Sequence, residues 1–309
     1  MSNDWNQNKF AETYGDITWE QKTFRYKSYQ RNSGKFSTYM EFSEGVPILR
    51  FSCFDEQKDW MGMGFSTRLG GVSEGCLSEL NLGWNRGDSE DIVKENYHIM
   101  CKALGVQADK LVFSDQIHET EIVDVTEKYA AGASLTKKLR GIDGMITKEP
   151  GLVLATSYAD CVPLFFADPV HHAVASSHSG WRGTVGEIGR RTVEKMQECF
   201  GTHPEDLICL IGPSICRDCY EVSEDVAEQF QEKFPEECIS EIIAPGVEAG
   251  KYQLDLWAAC YFTLQKAGVP SASIQVSGVC TCCHNDILFS HRATSGKRGN
   301  LNGFIWKKS

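Results

Sequence analysis

Residues 152–185 read LVLATSYADCVPLFFADPVHHAVASSHSGWRGTV. Three apolar runs of strand length, 152–158, 164–167 and 173–177, follow one another without a helix between them. A helical pattern comes only afterwards, over 185–200, where Ile188, Val193 and Met196 lie on one stripe and Gly201 supplies a C-terminal stop. Strands that do not alternate regularly with helices disfavour a doubly wound Rossmann sheet and predict one α/β domain with mixed sheets.

The flanks repeat this texture. Further strands are expected at 48–54, 63–67, 111–114, 121–125, 144–147, 207–211, 274–279 and 304–307. Helices are expected at 88–104, opened by Asp88 and Ser89, at 223–234, and at 254–267 before Gly268 and Pro270. No repeat of fixed period and no low-complexity linker interrupts 46–309, which therefore reads as a single domain. Residues 1–45 are polar but carry Trp5, Phe10, Tyr14, Trp19, Phe24, Tyr26 and Tyr29. That aromatic content predicts an extension docked on the main body rather than a free tail.

Charge and composition narrow the function. The chain has 309 residues, 31 Lys+Arg against 42 Asp+Glu, a net charge of −11 and 41% hydrophobic residues. This is globular composition, and its negative sign disfavours nucleic acid and anionic membrane as partners. No run approaches the roughly 20 apolar residues of a membrane span. The polar start, without a basic-then-apolar pattern, predicts a cytoplasmic protein. Thirteen cysteines in such a compartment stay reduced, as buried apolar groups, metal ligands or catalytic thiols.

Three segments end strands in chemically useful residues. In Ser114-Asp115-Gln116-Ile117-His118, Gln116 and His118 share a face if the backbone stays extended. In Ala159-Asp160-Cys161-Val162-Pro163, the proline has no N–H to give, so pairing should fail close to Cys161 and open the backbone around the thiol. In His178-Ser179-Gly180-Trp181-Arg182-Gly183, the strand should end at the histidine and lead into a helix whose free amides, with Arg182, could receive an anion. Two imidazoles and a thiol are a ligand set for zinc that leaves one position open. The same Cys161 and His178 would also serve as a metal-free hydrolase or amidase dyad. Single residues of these kinds are more often simply packed, and a zinc-stabilised binding module without turnover stays open as well.

Two other clusters compete. Cys216-Arg217-Asp218-Cys219 and Cys280-Thr281-Cys282-Cys283 could form a structural zinc site, although the gap between them far exceeds the 15–20 residues usual in a zinc ribbon. Thr67-Arg68-Leu69-Gly70-Gly71-Val72-Ser73 ends a strand in an arginine followed by two glycines, a setting for a carboxylate or oxyanion clamp. Phe289-Ser290-His291-Arg292 and Ser295-Gly296-Lys297-Arg298 add positive charge near the C-terminus.

Taken in order, Thr67 to Ser73, Leu80-Asn81-Leu82-Gly83, Gly87-Asp88, Gln116-Ile117-His118, Asp143-Gly144-Met145-Ile146-Thr147, Ala159 to Pro163, His178 to Gly183, Ile211-Gly212-Pro213, Tyr220-Glu221-Val222 and Phe289 to Arg292 resemble one known family. It is the laccase-domain or multicopper polyphenol oxidase family, also described as purine nucleoside phosphorylases. The resemblance spans about 46–306. It implies a layered mixed-sheet sandwich with helices outside, and zinc held by His118, Cys161 and His178. The activity it implies is phosphorolysis of adenosine, inosine and methylthioadenosine, with deamination of adenosine; purine nucleosides and phosphate would be the partners of a monomer or homodimer.

On that basis Cys161, His178 and His118 are catalytic candidates. Asp160 is expected to shuttle protons, with Asp143 and Glu119 as alternatives, while Arg68, Asn81, Gln116 and Arg182 are expected to bind substrate. Lys297 stands where the family tends to carry arginine, which is the better bidentate donor. Copper is a further candidate for the same ligands, which bind it more tightly than zinc. Coupled copper centres, however, use His-x-His pairs, and the eight histidines here contain none.

Overall fold

The computed structural model describes residues 5–14, 36–136 and 139–309. In chain order its strands are β1 (Thr38–Ser43), β2 (Val46–Phe51), β3 (Met61–Ser66), β4 (Leu111–Asp115), β5 (Ile122–Asp124), β6 (Leu139–Arg140), β7 (Gly144–Thr147) and β8 (Val153–Tyr158). Then come β9 (Val162–Asp168), β10 (Ala173–Ser179), β11 (Ile208–Ile211), β12 (Glu221–Ser223), β13 (Ile243–Pro245), β14 (Lys251–Leu254), β15 (Ile274–Val276) and β16 (Leu301–Lys307). The α-helices are α1 (Gln7–Tyr14), α2 (Glu90–Leu104), α3 (Trp181–Val185), α4 (Ile188–Phe200), α5 (Glu224–Lys233), α6 (Glu236–Ile242) and α7 (Leu256–Lys266).

Seven strands form one sheet in the order β1-β2-β3-β16-β8-β4-β6, and six form a second, β15-β11-β9-β10-β7-β5. Both are mixed: β4 runs parallel to β8 and β11 to β15, whereas β9 and β10 are antiparallel. The sheets lie face to face. Leu154 and Tyr158 of β8 and Phe65 of β3 meet Phe165 of β9 and Val174 of β10 in one buried cluster. The opposite pleat of β8, Val153 and Ala155, joins Val93, Tyr97 and Met100 of α2. On the far side, Leu164, Phe166, Ala173 and Ala175 pack against Val193 and Met196 of α4 and Trp257 and Leu264 of α7.

The result is four layers: helix, sheet, sheet, helices. Because the central strands bury both faces, 152–177 reads as nearly continuous apolar sequence instead of alternating. Gly303 marks how tightly the sheets approach, since a Cβ there would meet the Phe165 ring at 2.2 Å. The expected mixed α/β sandwich is thus the observed fold.

Two local expectations are corrected. Pro163 does not break a strand but sits second in β9, opposite His178. Its missing N–H is tolerated because the neighbouring β11 ends at Ile211 opposite Leu164, and the Pro163 carbonyl still accepts the Gly212 N–H at 2.8 Å. Similarly, β10 continues through His178 to Ser179. The backbone does open around the thiol as expected, but at Ala159–Cys161, between β8 and β9, where Asp160 adopts φ +89°.

The boundary expected at residue 46 falls in a hairpin, for β1 pairs with β2 from Ser43↔Val46 to Thr38↔Phe51. In the described part of the extension, Trp5 and Phe10 are buried in the inter-sheet cluster. Trp5 Nε1 donates to Glu79 at 3.0 Å. Trp19, Phe24, Tyr26 and Tyr29 lie outside the described residues. Among the described residues no helix is long and apolar enough to cross a membrane.

Glu187 binds the outer helices together. It precedes α4, its side chain is 4% exposed, and it accepts from Arg190 of α4 (2.9 Å), Lys233 of α5 (3.2 Å) and Lys266 of α7 (2.6 Å). Burial pushes its carboxyl up, but these cations outweigh that and draw its pKa from 4.5 to about 2. A depressed folded-state pKa stabilises the fold above 4.5 and ceases to do so as pH falls through about 2. Glu187→Gln should therefore cost about 1–2 kcal/mol at neutral pH, the half-exposed lysines being screened. Urea midpoints measured across pH should show the gap between wild type and variant closing as pH drops below 4.5.

Candidate metal centre

Three chain segments from both sheets converge on one point. β10 carries His178, the turn before β9 carries Cys161, and the loop after β4 carries His118. Their ligand atoms lie within 4.8 Å of one another. The imidazole centroids are 4.8 Å apart at an interplanar angle of 63°. His118 adopts φ +65°, a left-handed conformation that histidine tolerates better than most residues.

Asp143, the residue before β7, holds that arrangement. Its carboxylate accepts the backbone N–H groups of Ile117 (3.1 Å), His118 (3.1 Å) and Glu119 (2.9 Å). It also bonds Nδ1 of His178 at 2.8 Å. With Nδ1 so engaged, Nε2 is the His178 nitrogen left for a metal. Gly180, just past β10, leaves room beside the centre: a Cβ there would sit 2.6 Å from His118 Nδ1 and 3.4 Å from Cys161 Sγ.

The electrostatics pair a thiolate with an imidazolium, whose proton a metal would displace on binding. Burial pushes the Cys161 thiol up, but His178 and hydrogen bonds from both imidazoles overcome it, lowering its pKa from 9.0 to about 6. Burial pushes His178 down, yet the Cys161 thiolate and Asp143 raise it from 6.5 to about 9. Burial raises the Asp143 carboxyl, and its bonds to His178 and the loop amides bring it below its ordinary value. A preformed thiolate, two imidazoles and a carboxylate behind one of them are donors that zinc or another divalent ion fits.

The centre opens into a cavity of about 250 Å³. Gln116 lines it, though both ends of its amide are committed to the Ser157 backbone at 2.9 Å. Two arginines line it as well, Arg86 and Arg298. Burial, and then the like charge of Arg86, lower the Arg298 guanidinium to about 10. Arg298 Nε is buried without a partner. The expectation that Lys297 leaves this run short of an arginine is corrected, because Lys297 is exposed and the next residue supplies the guanidinium.

Other expected substrate ligands have structural work. Arg68 donates to the carbonyls of Ser78 (2.7 Å) and Asn285 (2.9 Å), stacks on Phe289, and is not among the cavity-lining residues. Asn81 is fully buried, donating to Asp88 at 2.8 Å and accepting from Gly83 and Asn300 N–H groups. Arg182 lies exposed over the Trp181 ring, outside the cavity lining. Asp160 has its carboxylate occupied by the Thr281 hydroxyl (2.7 Å) and the Arg292 N–H (2.6 Å), which leaves it a holding rather than a proton-shuttling position. Asp115 is the carboxylate that lines the cavity.

Comparison with known proteins identifies the family. Residues 62–308 match the family model described as multi-copper polyphenol oxidoreductase laccase. The chain is 36% identical over 278 residues to "Purine nucleoside phosphorylase YlmD" of Bacillus subtilis, covering 88% of this chain and 99% of that protein. It is 34% identical over 247 residues to "Adenosine deaminase RL5" of an unknown prokaryotic organism, covering 79% and 93%. The crystal structure of the hypothetical protein YfiH of Bacillus licheniformis superposes with a TM-score of 0.79 at 33% identity, over 84% of this chain and 96% of that one. On the matched family and on relatives of this similarity, the chain belongs to the multi-copper polyphenol oxidoreductase laccase family.

Proposed function

We propose that this protein is a zinc-dependent purine nucleoside phosphorylase acting on adenosine, inosine and methylthioadenosine, with adenosine deaminase activity. The observation that carries the reading is the convergence of His118, Cys161 and His178 within 4.8 Å at the end of a cavity lined by two arginines. Its chemical class is supported by the relatives, one named a purine nucleoside phosphorylase and one an adenosine deaminase. His118, Cys161 and His178 would hold the zinc, which would supply a Lewis acid there.

The chain's own groups do the rest. In phosphorolysis, a phosphate oxygen forms a bond to C1′ of the ribose as the bond from C1′ to the purine nitrogen breaks, and the purine takes a proton. Arg86 and Arg298 hold the phosphate; two like charges beside one cavity disfavour each other until an anion lies between them. In deamination, water adds at C6 and ammonia leaves. Asp115, a carboxylate that lines the cavity, moves the protons in either reaction. Asp143 acts through His178, fixing its tautomer and ring plane.

A second reading has support in the chain Cys161, His178, Asp143, which would also make a metal-free hydrolase dyad with an orienting acid. Metal content separates the two. Protein purified without chelator should hold zinc that His118→Ala and Cys161→Ala release. An active, metal-free enzyme silenced by alkylation would favour the dyad instead.

Incubation with inosine and phosphate should yield hypoxanthine and ribose 1-phosphate with wild type and background amounts with His118→Ala or Cys161→Ala. Equal product from those variants would mean a contaminating phosphorylase. Arg298→Ala should raise the KM for phosphate roughly 10- to 100-fold, the range of a lost hydrogen bond to a charged group, while deamination of adenosine changes far less. Asp143→Asn should cost about 10- to 100-fold in metal affinity or activity, because an amide nitrogen in place of Oδ2 would face the N–H groups of Ile117 and Glu119.

A further inference from the structure

Cys216, Cys219, Cys280 and Cys283 play no part in the reaction above, yet their sulfurs lie within 4.8 Å of one another. The long gap in sequence, which argued against a zinc ribbon, is closed by topology. β11 and β15 are adjacent parallel strands, and one Cys-x-x-Cys pair follows each of them at the same end of the sheet. Beyond the strands, Ser214 and Cys280 still form a parallel bridge.

The spacing has the size of a metal site. Four sulfurs at about 2.3 Å from a tetrahedral zinc lie about 3.8 Å from each other. Here Sγ of Cys283 is 3.5 Å from that of Cys219 and 4.0 Å from that of Cys216. The Cys280 sulfur accepts the backbone N–H groups of Cys216 (3.3 Å) and Cys283 (3.4 Å). Arg292 brings a cation to the same loop, donating to the carbonyls of Cys219 (3.4 Å) and Glu221 (3.0 Å). None of the thirteen cysteines is joined in a disulfide.

We propose that these four cysteines bind one structural zinc ion as a closed tetrathiolate, separate from the centre at His118, Cys161 and His178. With every position filled by protein, the ion has no open site for substrate and acts as a staple. What it fastens is the wall of the first centre. The Ile215 N–H donates to the Asp160 carbonyl at 3.0 Å, and the Thr281 hydroxyl donates to the Asp160 carboxylate at 2.7 Å. Each of those residues sits within one of the two cysteine loops or directly beside it, and Asp160 immediately precedes Cys161.

Metal stoichiometry and cobalt spectroscopy on the full chain, purified under reducing conditions without chelator, test this. One zinc per chain should persist in Cys161→Ser and be lost in Cys283→Ser, whatever the first centre holds. In protein produced with cobalt(II), Cys161→Ser should keep the intense thiolate-to-cobalt charge transfer of a four-sulfur tetrahedral site. Cys283 is exposed, so its replacement by serine should spare the core. If that variant nevertheless fails to fold, the cobalt spectrum of Cys161→Ser decides alone. Zinc abolished entirely by Cys161→Ser, no four-sulfur cobalt spectrum in that variant, iron in place of zinc, or a Cys219–Cys283 disulfide in the isolated protein would each overturn the proposal.

Discussion

One buried carboxylate organises the centre. Asp143 stands at the start of β7 in the six-stranded sheet, and the loop it holds, residues 117 to 119, leaves β4 of the seven-stranded sheet. A carboxylate removed from water costs several kcal/mol unless its oxygens are satisfied. Here three amide N–H groups and one imidazole satisfy them. The same bonds keep His118 in its left-handed conformation and aim His178, so both histidines depend on one anion. The Asp143 carbonyl adds a further tie, accepting the His178 N–H at 2.7 Å.

The sandwich makes that arrangement durable. Strands packed on both faces cannot slide by one residue without breaking that fit, since Gly303 must stay beneath the Phe165 ring. Between the sheets, near the centre, three hydroxyls are linked: those of Thr156 and Ser176 lie 2.7 Å apart, and the Tyr158 hydroxyl donates to Thr156 at 2.8 Å. Such a base lets loops carry the ligands while the strands beneath them fix their positions. Residues that looked like substrate ligands, Arg68 and Asn81 above all, turn out to lash these loops together. Arginine suits that work because its fork reaches two carbonyls at once.

Much of this was legible in the chain. Apolar run length predicted β7 at its observed bounds and β8, β9 and β10 to within two residues at each end; capping residues and a following glycine predicted α2 and α4. Ordered motifs singled out His118, Cys161 and His178, all of which converge. Short edge elements escaped: β12, β13 and β14 form a small sheet of three or four residues per strand, too brief for period-2 alternation to register. Helix α6, of seven residues, is likewise too short to show a stripe.

Local sequence determines which residues can be ligands and which segments are buried, because thiol and imidazole chemistry and apolar patterning are properties of the chain itself. Which polar residues face the cavity was decided only in three dimensions. Arg298 and Asn81 look equally polar in sequence, yet one lines the cavity and the other is consumed by the turn beside it. The pairing of β11 with β15 likewise brings two cysteine pairs together across a gap that sequence spacing counted against them. Strand pairing joins residues without regard to their separation along the chain, so only tertiary structure could show which side chains share a site.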